Sequence, residues 1–407
     1  MVTIDSGGPA LALAYVVFAY PQLSETFIAD EIAELRRQGV KVTVYTLEPP
    51  RPGPRAAAPD ASPQDLSLPK SRLARAALLA SVLPWLARNP AGFARAVALA
   101  LAARRPAVFG HLVQGARLAG RLRRRPAAVI HAGFASDPAT VAMFAASFAH
   151  LPFTFAAHAV DIFVDPVLLA VKLRHAARVR VISEYNRRYL TDRFGANGNM
   201  CVVRCGVAPA RFRAVRTSAG RCFELVSVCR LVPKKGLTAA LLAVHDLRRR
   251  GVPVHYTVAG AGPLEGALRA QAAALRLGTA VTFVGPVAPA TVEELLARAT
   301  AFLLPCVRAA DGDIDGIPVA ILEAMAMGVP VVSSRVSGVP EAVTDDAGVL
   351  VPPGDTKALV AALLEVYADW RGDQKRFRGG PAAVREKFLL PVNVAKWRVF
   401  LEVVARA

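Results

Sequence analysis

LALAYVVFAYPQLSETFIADEIAELRRQGVKVTVYTL, residues 11–47, reads as one strand–helix–strand unit. Its apolar opening, 11–19, suits a strand covered on both faces, and 41–47 (KVTVYTL) suits a parallel neighbour. A helix is expected between them, from about Ser24 to Gln38. Ser24 can cap its start, Glu25 suits the positive end of its dipole, and Gly39 ends it. Ile28, Ile32 and Leu35 then share one face, the pattern of a helix laid on a sheet. Parallel strands need a crossover of this kind, so the unit predicts an α/β fold.

The same alternation recurs down the chain. Strands are expected near 127–131, 152–157, 179–182 and 200–204, and again at 223–229, 253–259, 280–284, 301–304, 330–333 and 348–351. Residues 49–69 are rich in Pro, Ala, Asp and Ser and read as a surface loop. Helical patterns fill roughly 70–122, with Asn89–Pro90 starting one helix and Pro106 stopping it. A chain of 407 residues exceeds one ordinary core, and 54% apolar content supports two. Residues 206–221 lack periodicity and are expected to hold the junction. The expected division is a first doubly wound domain over 1–206, a second over 207–385, and a terminal helix over 386–407 that packs back on the first.

The formal charge is +19, so the surface seeks anions: nucleotide phosphates, nucleic acid or anionic lipid headgroups. A nucleic-acid binder would more often show aromatic stacking strings or a reader motif, and neither occurs, so no nucleic-acid partner is expected. The basic residues are unevenly spread. Between Asp65 and Asp137 there is no acid, while Lys70, Arg72, Arg75, Arg88, Arg95, Arg104, Arg105, Arg117, Arg121, Arg123, Arg124 and Arg125 interrupt Ala and Leu. Residues 70–125 are therefore expected to touch an anionic membrane surface, each exposed cation contributing about 1 kcal/mol. Five cysteines without CxxC or zinc spacing suit free thiols in a reducing cytoplasm. The apolar run 9–20 is too short to span a bilayer, and no leader is expected. The expected location is cytoplasmic, peripheral on the inner face of the cell membrane.

Three constellations can carry chemistry. The first is Asp315–Glu323 in DGIPVAILEAMAMGVPVVSS. Ile317 and Pro318 are expected to open a helix whose unpaired N–H groups favour a phosphate, with Gly316 before them and Val319 after them on the donor side. Glu323 lies further in, where it can accept from two ribose hydroxyls, and Asp315 precedes the helix, where it can reach a sugar. Taken alone, the pair also suits a capped surface helix with two solvated acids. The second is Arg230 and Lys235 in CRLVPKKG, leaving a strand. Fixed cations there stabilise a leaving diphosphate more than the bound ground state. Lys234 is read as a solvated charge. The third is His158, after an apolar strand, with Asp161 placed to orient its imidazole. Weaker signals are the turn Gly260-Ala-Gly262-Pro263 and the first strand-to-helix loop, where Ser24, Glu25 and Thr26 offer polar groups.

Together these residues resemble a GT-B-fold glycosyltransferase of the family 4 type. The resemblance runs through His158 with Asp161, Ser183–Glu184, Cys205–Val207, Arg230–Gly236, Gly260–Pro263, Phe283–Gly285, Asp315–Glu323 and Ser337–Glu341. The string YPQLSETFIADEIAELRRQG resembles the subgroup that builds exopolysaccharides, such as the colanic acid transferases. The resemblance implies two Rossmann-like domains facing across a cleft, retention of anomeric configuration, a nucleotide site mainly in 207–385, and no metal or other cofactor. It implies that Arg230 and Lys235 hold the diphosphate of a UDP- or GDP-sugar, Glu323 the ribose, and Asp315 and His158 the donor sugar. A saccharide or lipid-linked saccharide acceptor then meets residues 1–206, with Ser24, Glu25, Thr26 and Asp161 on its side. A front-face substitution is expected, with a phosphate oxygen taking the acceptor's proton. Three positions depart from the family: Asp315 where Glu is usual, Cys205 where Asn is common, and Gly133 where His is frequent. The rival readings are a sugar-nucleotide epimerase on the same fold and a basic nucleic-acid-binding protein.

Overall fold

The computed structural model describes residues 10–22, 25–49, 62–69, 71, 80–164, 166–195, 198–208 and 222–407. Its contacts divide the chain into two units. Unit 1 comprises Met1–Val181, Arg187–Val203 and Val394–Ala407, and unit 2 comprises Ile182–Asn186 and Arg204–Asn393.

Among the described residues, unit 1 has a parallel sheet of seven strands: β1 Ala12–Val17, β2 Lys41–Thr46, β3 Gln64–Asp65, β4 Val129–Ala132, β5 Phe153–Ala157, β6 Arg178–Val181 and β7 Met200–Val202. They lie in the order β3-β2-β1-β4-β5-β6-β7. Unit 2 has six parallel strands: β8 Phe223–Val228, β9 Val254–Ala259, β10 Val281–Gly285, β11 Ala301–Leu304, β12 Val331–Ser334 and β13 Gly348–Val351, in the order β10-β9-β8-β11-β12-β13. Both are doubly wound sheets in which the strand order reverses beside the first strand, between β1 and β4 and between β8 and β11. The central strands β4 and β11 are buried along their whole length and β1 and β8 over most of theirs, which is why the sequence shows them as largely apolar runs.

Two expectations change in unit 1. The first helix is Thr26–Arg37, and the residue before it is Glu25, whose side chain makes no capping bond; Ser24 lies outside the described residues. The loop over 49–69 contributes β3, which pairs Gln64 with Tyr45 and leads into the fully buried Leu66. A two-residue polar strand has no periodicity to read. Asn89 does cap the helix Pro90–Ala102, its side-chain oxygen accepting from the Gly92 amide at 2.9 Å. The terminal helix Leu390–Arg406 belongs to unit 1 from Val394 onward. Trp397 is fully buried beside the His131 ring, and Arg398 donates to the Gln38 carbonyl at 2.9 Å.

Unit 1 also holds a buried ion pair that nothing in the sequence pattern announces. Glu31, on the first helix, pairs with Arg180 on β6, and each side chain is 3% exposed. Tyr15 donates to the same carboxylate at 2.9 Å, and Arg180 donates to the Val203 carbonyl at 2.9 Å. Burial alone would raise the Glu31 carboxyl; the Arg180 charge overcomes this and holds it below its ordinary range. The contribution is thus complete above the ordinary carboxylate range and is lost as pH falls through the lowered value. Arg180→Met, which strands the Glu31 charge, is expected to cost about 3–5 kcal/mol in urea denaturation. Adding Glu31→Met should recover most of that loss, and equal losses in the single and double variants would contradict the pairing.

Candidate functional site

In open α/β sheets, ligands sit outside the carboxyl ends of strands, at the reversal of strand order. In unit 2 that point lies between β8 and β11. Four predicted segments meet this edge: Arg230–Lys235 follows β8, Gly260–Gly262 follows β9, Asp315–Glu323 follows β11, and Ser337–Gly338 follows β12.

The centre is a cluster of opposite charges. Lys235 donates to Asp315 at 2.6 Å, and Lys234 lies 2.9 Å from Asp313 and 3.3 Å from Asp315. The Cys306 thiol donates to Asp315 at 3.5 Å. Lys234 is only 2% exposed, so the reading of it as a solvated charge is wrong. A short 3-10 turn, Pro233–Lys235, aims both ammonium groups at the loop after β11. Gly236 ends that turn with φ +66°, and a Cβ there would lie 1.9 Å from the Pro305 carbonyl oxygen. Only glycine lets the two loops approach so closely.

Burial opposes the charge on both partners, but their attraction wins. Desolvation would raise the Asp315 carboxyl, yet Lys235 and Lys234 hold it below the ordinary carboxylate range. Desolvation would lower the Lys235 ammonium, yet Asp315 raises it. Both are therefore charged at neutral pH. The stabilisation due to Asp315 is lost as pH falls below about 4, and that due to Lys235 as pH rises above about 10. The thiols beside them are pushed up mainly by burial, Cys229 to about 12 and Cys306 well above its usual value, so both stay protonated.

Arg230 is exposed, on a loop tied to the β9 turn. Leu231 donates to the Ala261 carbonyl at 2.9 Å, and Gly260 donates to the Gly285 carbonyl at 2.7 Å. A Cβ at Gly260 would meet the Cys229 carbonyl oxygen at 1.9 Å, and one at Gly262 the Leu231 oxygen at 2.4 Å. These glycines serve close packing of the two loops that flank Arg230. The helix after β11 is Val319–Ala326, preceded by Pro318, so Ile317 and Pro318 lie just outside it. It has no side-chain cap and no acid in its first turn, which leaves its positive end open to an anion. Glu323 is part-buried, one turn in.

Sequence reasoning passed over the role of Glu341. Its carboxylate accepts from the Glu184 and Tyr185 amides at 3.0 and 2.8 Å and from the Arg204 guanidinium at 2.9 Å. Ser183, beside it, caps the same turn through the Asn186 amide at 3.0 Å. Gly338 packs against Ile317 and Ser183, each 2.9 Å from the place of a Cβ.

His158 and Asp161 lie in unit 1, after β5. Asp161 does not orient the imidazole through a described hydrogen bond; it accepts from the backbone amides of Ala135, His158 and Ala159 at 2.7–3.2 Å. The His158 ring lies between Phe27 and Phe134, 5.1 Å from each, and bonds the Gly133 backbone. Burial lowers its pKa against the opposing Asp161 charge, so it is neutral at neutral pH. A Cβ at Gly133 would sit 3.1 Å from side-chain atoms of both Tyr15 and Val17, so a larger residue there would have to push these neighbours aside. Glu25 and Thr26 adjoin Phe27 at the start of the first helix. Among the described residues no group of three or more His, Cys, Asp or Glu side chains is arranged to hold a metal ion.

Residues 24–211 match the family model for Glycosyltransferase Family 4, and residues 222–369 match that for Glycosyl transferases group 1. AmsK of Erwinia amylovora, an amylovoran biosynthesis glycosyltransferase, is 42% identical over 167 residues, covering 40% of this chain and 41% of that protein. WcaL of Escherichia coli, assigned to colanic acid biosynthesis, is 44% identical over 167 residues, with the same coverage. A GDP-mannose-dependent alpha-(1-6)-phosphatidylinositol monomannoside mannosyltransferase of Mycolicibacterium smegmatis is 31% identical over 204 residues, 47% of this chain and 53% of that protein. The chain thus spans about half the length, or less, of the curated relatives it matches. In fold it is similar to sucrose-phosphate synthase of Thermosynechococcus elongatus, with TM-score 0.73 and 16% identity over 98% of this chain and 100% of that one. It is also similar to Anabaena HepE in complex with UDP-glucose, with TM-score 0.70 and 16% identity over 98% and 100% of the two chains. Through 24–211 and 222–369 the chain carries the paired domains of the glycosyltransferase family 4 type, on the GT-B fold.

Proposed function

We propose that this protein is a retaining glycosyltransferase that moves a hexose from a UDP- or GDP-sugar to a hydroxyl of a saccharide or lipid-linked saccharide, in the synthesis of a surface polysaccharide. The observation that carries the reading is the Lys235–Asp315 pair at the reversal of strand order in unit 2. The naming of AmsK and WcaL for exopolysaccharide synthesis supports the pathway, and the GDP-mannose and UDP-glucose of two other relatives support the donor class.

On this reading, Arg230, Lys235 and the open start of Val319–Ala326 receive the diphosphate. Charge grows on that group as the glycosidic bond breaks, so fixed donors there favour the transition state. Asp315, already held charged by two lysines, keeps lone pairs for a sugar hydroxyl. Glu323 takes the ribose, and neutral His158 contacts the transferred sugar. The acceptor oxygen bonds to the anomeric carbon on the face that the diphosphate leaves, and its proton passes to a departing phosphate oxygen. No metal ion takes part.

The membrane is part of the proposal. Lys70, Arg72 and Arg75 lie outside the described residues, and Arg117 is held by the Leu66 and Ser67 carbonyls at 2.8 and 2.9 Å rather than solvated. Arg88, Arg95, Arg104, Arg105 and Arg123–Arg125 are exposed, and among them stand Leu83, Leu86, Leu101 and Phe109, 42–63% exposed. Cations interleaved with bare apolar side chains suit an anionic lipid surface. No helix among the described residues is long and apolar enough to cross a membrane.

Lys235→Ala and Arg230→Ala should each lower kcat by about 10²–10³. They should separate in thermal unfolding: Arg230→Ala leaves the melting temperature unchanged, whereas Lys235→Ala lowers it by removing the nearer of the two lysines that neutralise buried Asp315. Wild-type turnover in both variants would refute the site. A panel of UDP- and GDP-hexoses, assayed with saccharide acceptors after EDTA treatment, should give a product of unchanged anomeric configuration at full rate. An inverted product, or activity regained only on adding Mg²⁺ or Mn²⁺, would contradict the mechanism. Liposomes with anionic lipid should sediment the protein and neutral ones should not; Arg104→Glu with Arg105→Glu should weaken this binding, and equal sedimentation with both lipids would contradict the membrane reading.

A further inference from the structure

Two adjacent lysines divide one carboxylate in unit 2. Lys235 donates to Asp315 Oδ2 at 2.6 Å, while Lys234 Nζ lies 3.3 Å from Oδ1 of the same group and 2.9 Å from Asp313 Oδ1. The Cys306 thiol adds a contact to Oδ2 at 3.5 Å. The lysines differ in access to solvent: the Lys234 side chain is 3% exposed and that of Lys235 11%. An anion arriving from solvent meets Lys235 first. The Lys234 ammonium is also not what joins the two loops. The Val307 amide donates to the Lys234 carbonyl at 2.9 Å, and the Ala309 amide to the Asp313 carbonyl at 2.8 Å. A methionine at 234 would keep those backbone bonds and most of the apolar stem. It would remove one positive charge beside Asp315.

That charge matters once a diphosphate is present. An ammonium carries three N–H donors, and Lys235 uses one on Asp315. A phosphate competes with Asp315 for this ammonium, and the two anions repel each other across a short distance. With Lys235 as its sole counterion, Asp315 would be left buried and poorly neutralised whenever the diphosphate drew Lys235 away, and a buried charge that loses its partner is strongly unfavourable. Lys234 resolves the conflict. It sits on the opposite carboxylate oxygen, away from solvent, and stays with Asp315 whatever Lys235 binds. Both lysines hold the Asp315 carboxyl below its ordinary range, Lys235 more strongly than Lys234.

We propose that Lys234 is a positioning residue of the donor site: a sealed counterion that keeps Asp315 neutralised and in place while Lys235 turns its remaining hydrogen bonds to the diphosphate. The proposal rests on the donor reading above and gives Lys234 no contact with the substrate. Asp313 shares the Lys234 charge, so an uncharged residue at 313 leaves more of that charge for Asp315.

The test is isothermal titration calorimetry of the full chain with UDP and with GDP at about pH 8, above the second ionisation of a terminal phosphate. The wild type should bind at least one of the two. Lys234→Met should bind that nucleotide about tenfold or more weakly, because its diphosphate now competes with Asp315 for a single ammonium. Two further variants distinguish a counterion from a tie between loops. Asp315→Asn, added to Lys234→Met, removes the carboxylate responsible for the loss and should restore wild-type affinity. Asp313→Asn should bind at least as tightly as the wild type, whereas a loop tie predicts weaker binding. If Lys234→Met is too unstable to titrate, the double variant and Asp313→Asn carry the same decision. Undiminished binding by Lys234→Met, no recovery in the double variant, or weakened binding by Asp313→Asn would each overturn the proposal and leave the donor reading standing. Binding of neither nucleotide by the folded wild type would sink the donor reading, and the proposal with it.

Discussion

The contact between Lys235 and Asp315 holds together the two loops that flank the strand reversal of unit 2. A buried ion pair is costly to make, because each charge leaves water, and it survives only where geometry and further hydrogen bonds offset the desolvation. Here Lys234, Asp313 and Cys306 complete the set, and Gly236 gives the backbone room. The result is an ammonium group held on a rigid frame, with its pKa raised, beside a helix start that has no cap of its own. An anion arriving there meets charges that need not reorganise, the condition under which electrostatic stabilisation is largest.

Much of this was legible in the residues, and the illegible parts share a cause. Mostly buried strands print themselves as apolar runs, so β1, β8 and β11 fall where expected. The segments around Arg230, Gly260 and Asp315 were also legible, because each follows such a run. What could not be read was contact across the sheet. The string DGDID places acids at alternate positions 311, 313 and 315, and KKG offers two adjacent ammonium groups, yet nothing local says that they face each other. Lys234 was misread for that reason. The departure at Asp315 has a physical setting in the structure: two lysines reach the shorter side chain. Gly133 is set by packing against Tyr15 and Val17, and β3 and the Glu31–Arg180 pair depend on residues far apart in the chain.

The two units also differ in electrostatics. Unit 2 presents cations and an open helix start at its carboxyl edge, whereas in unit 1 exposed arginines lie on the helices over residues 83–125. The proposed membrane contact draws on those arginines and on the bare leucines that stand among them.

The most direct measurement is a crystal structure of the chain with UDP or GDP bound. The account places the diphosphate oxygens within hydrogen-bond distance of Lys235 Nζ and the Arg230 guanidinium, with the start of Val319–Ala326 pointing at them and Glu323 at the ribose. A diphosphate bound elsewhere, with Lys235 and Asp315 untouched by the nucleotide, would contradict it.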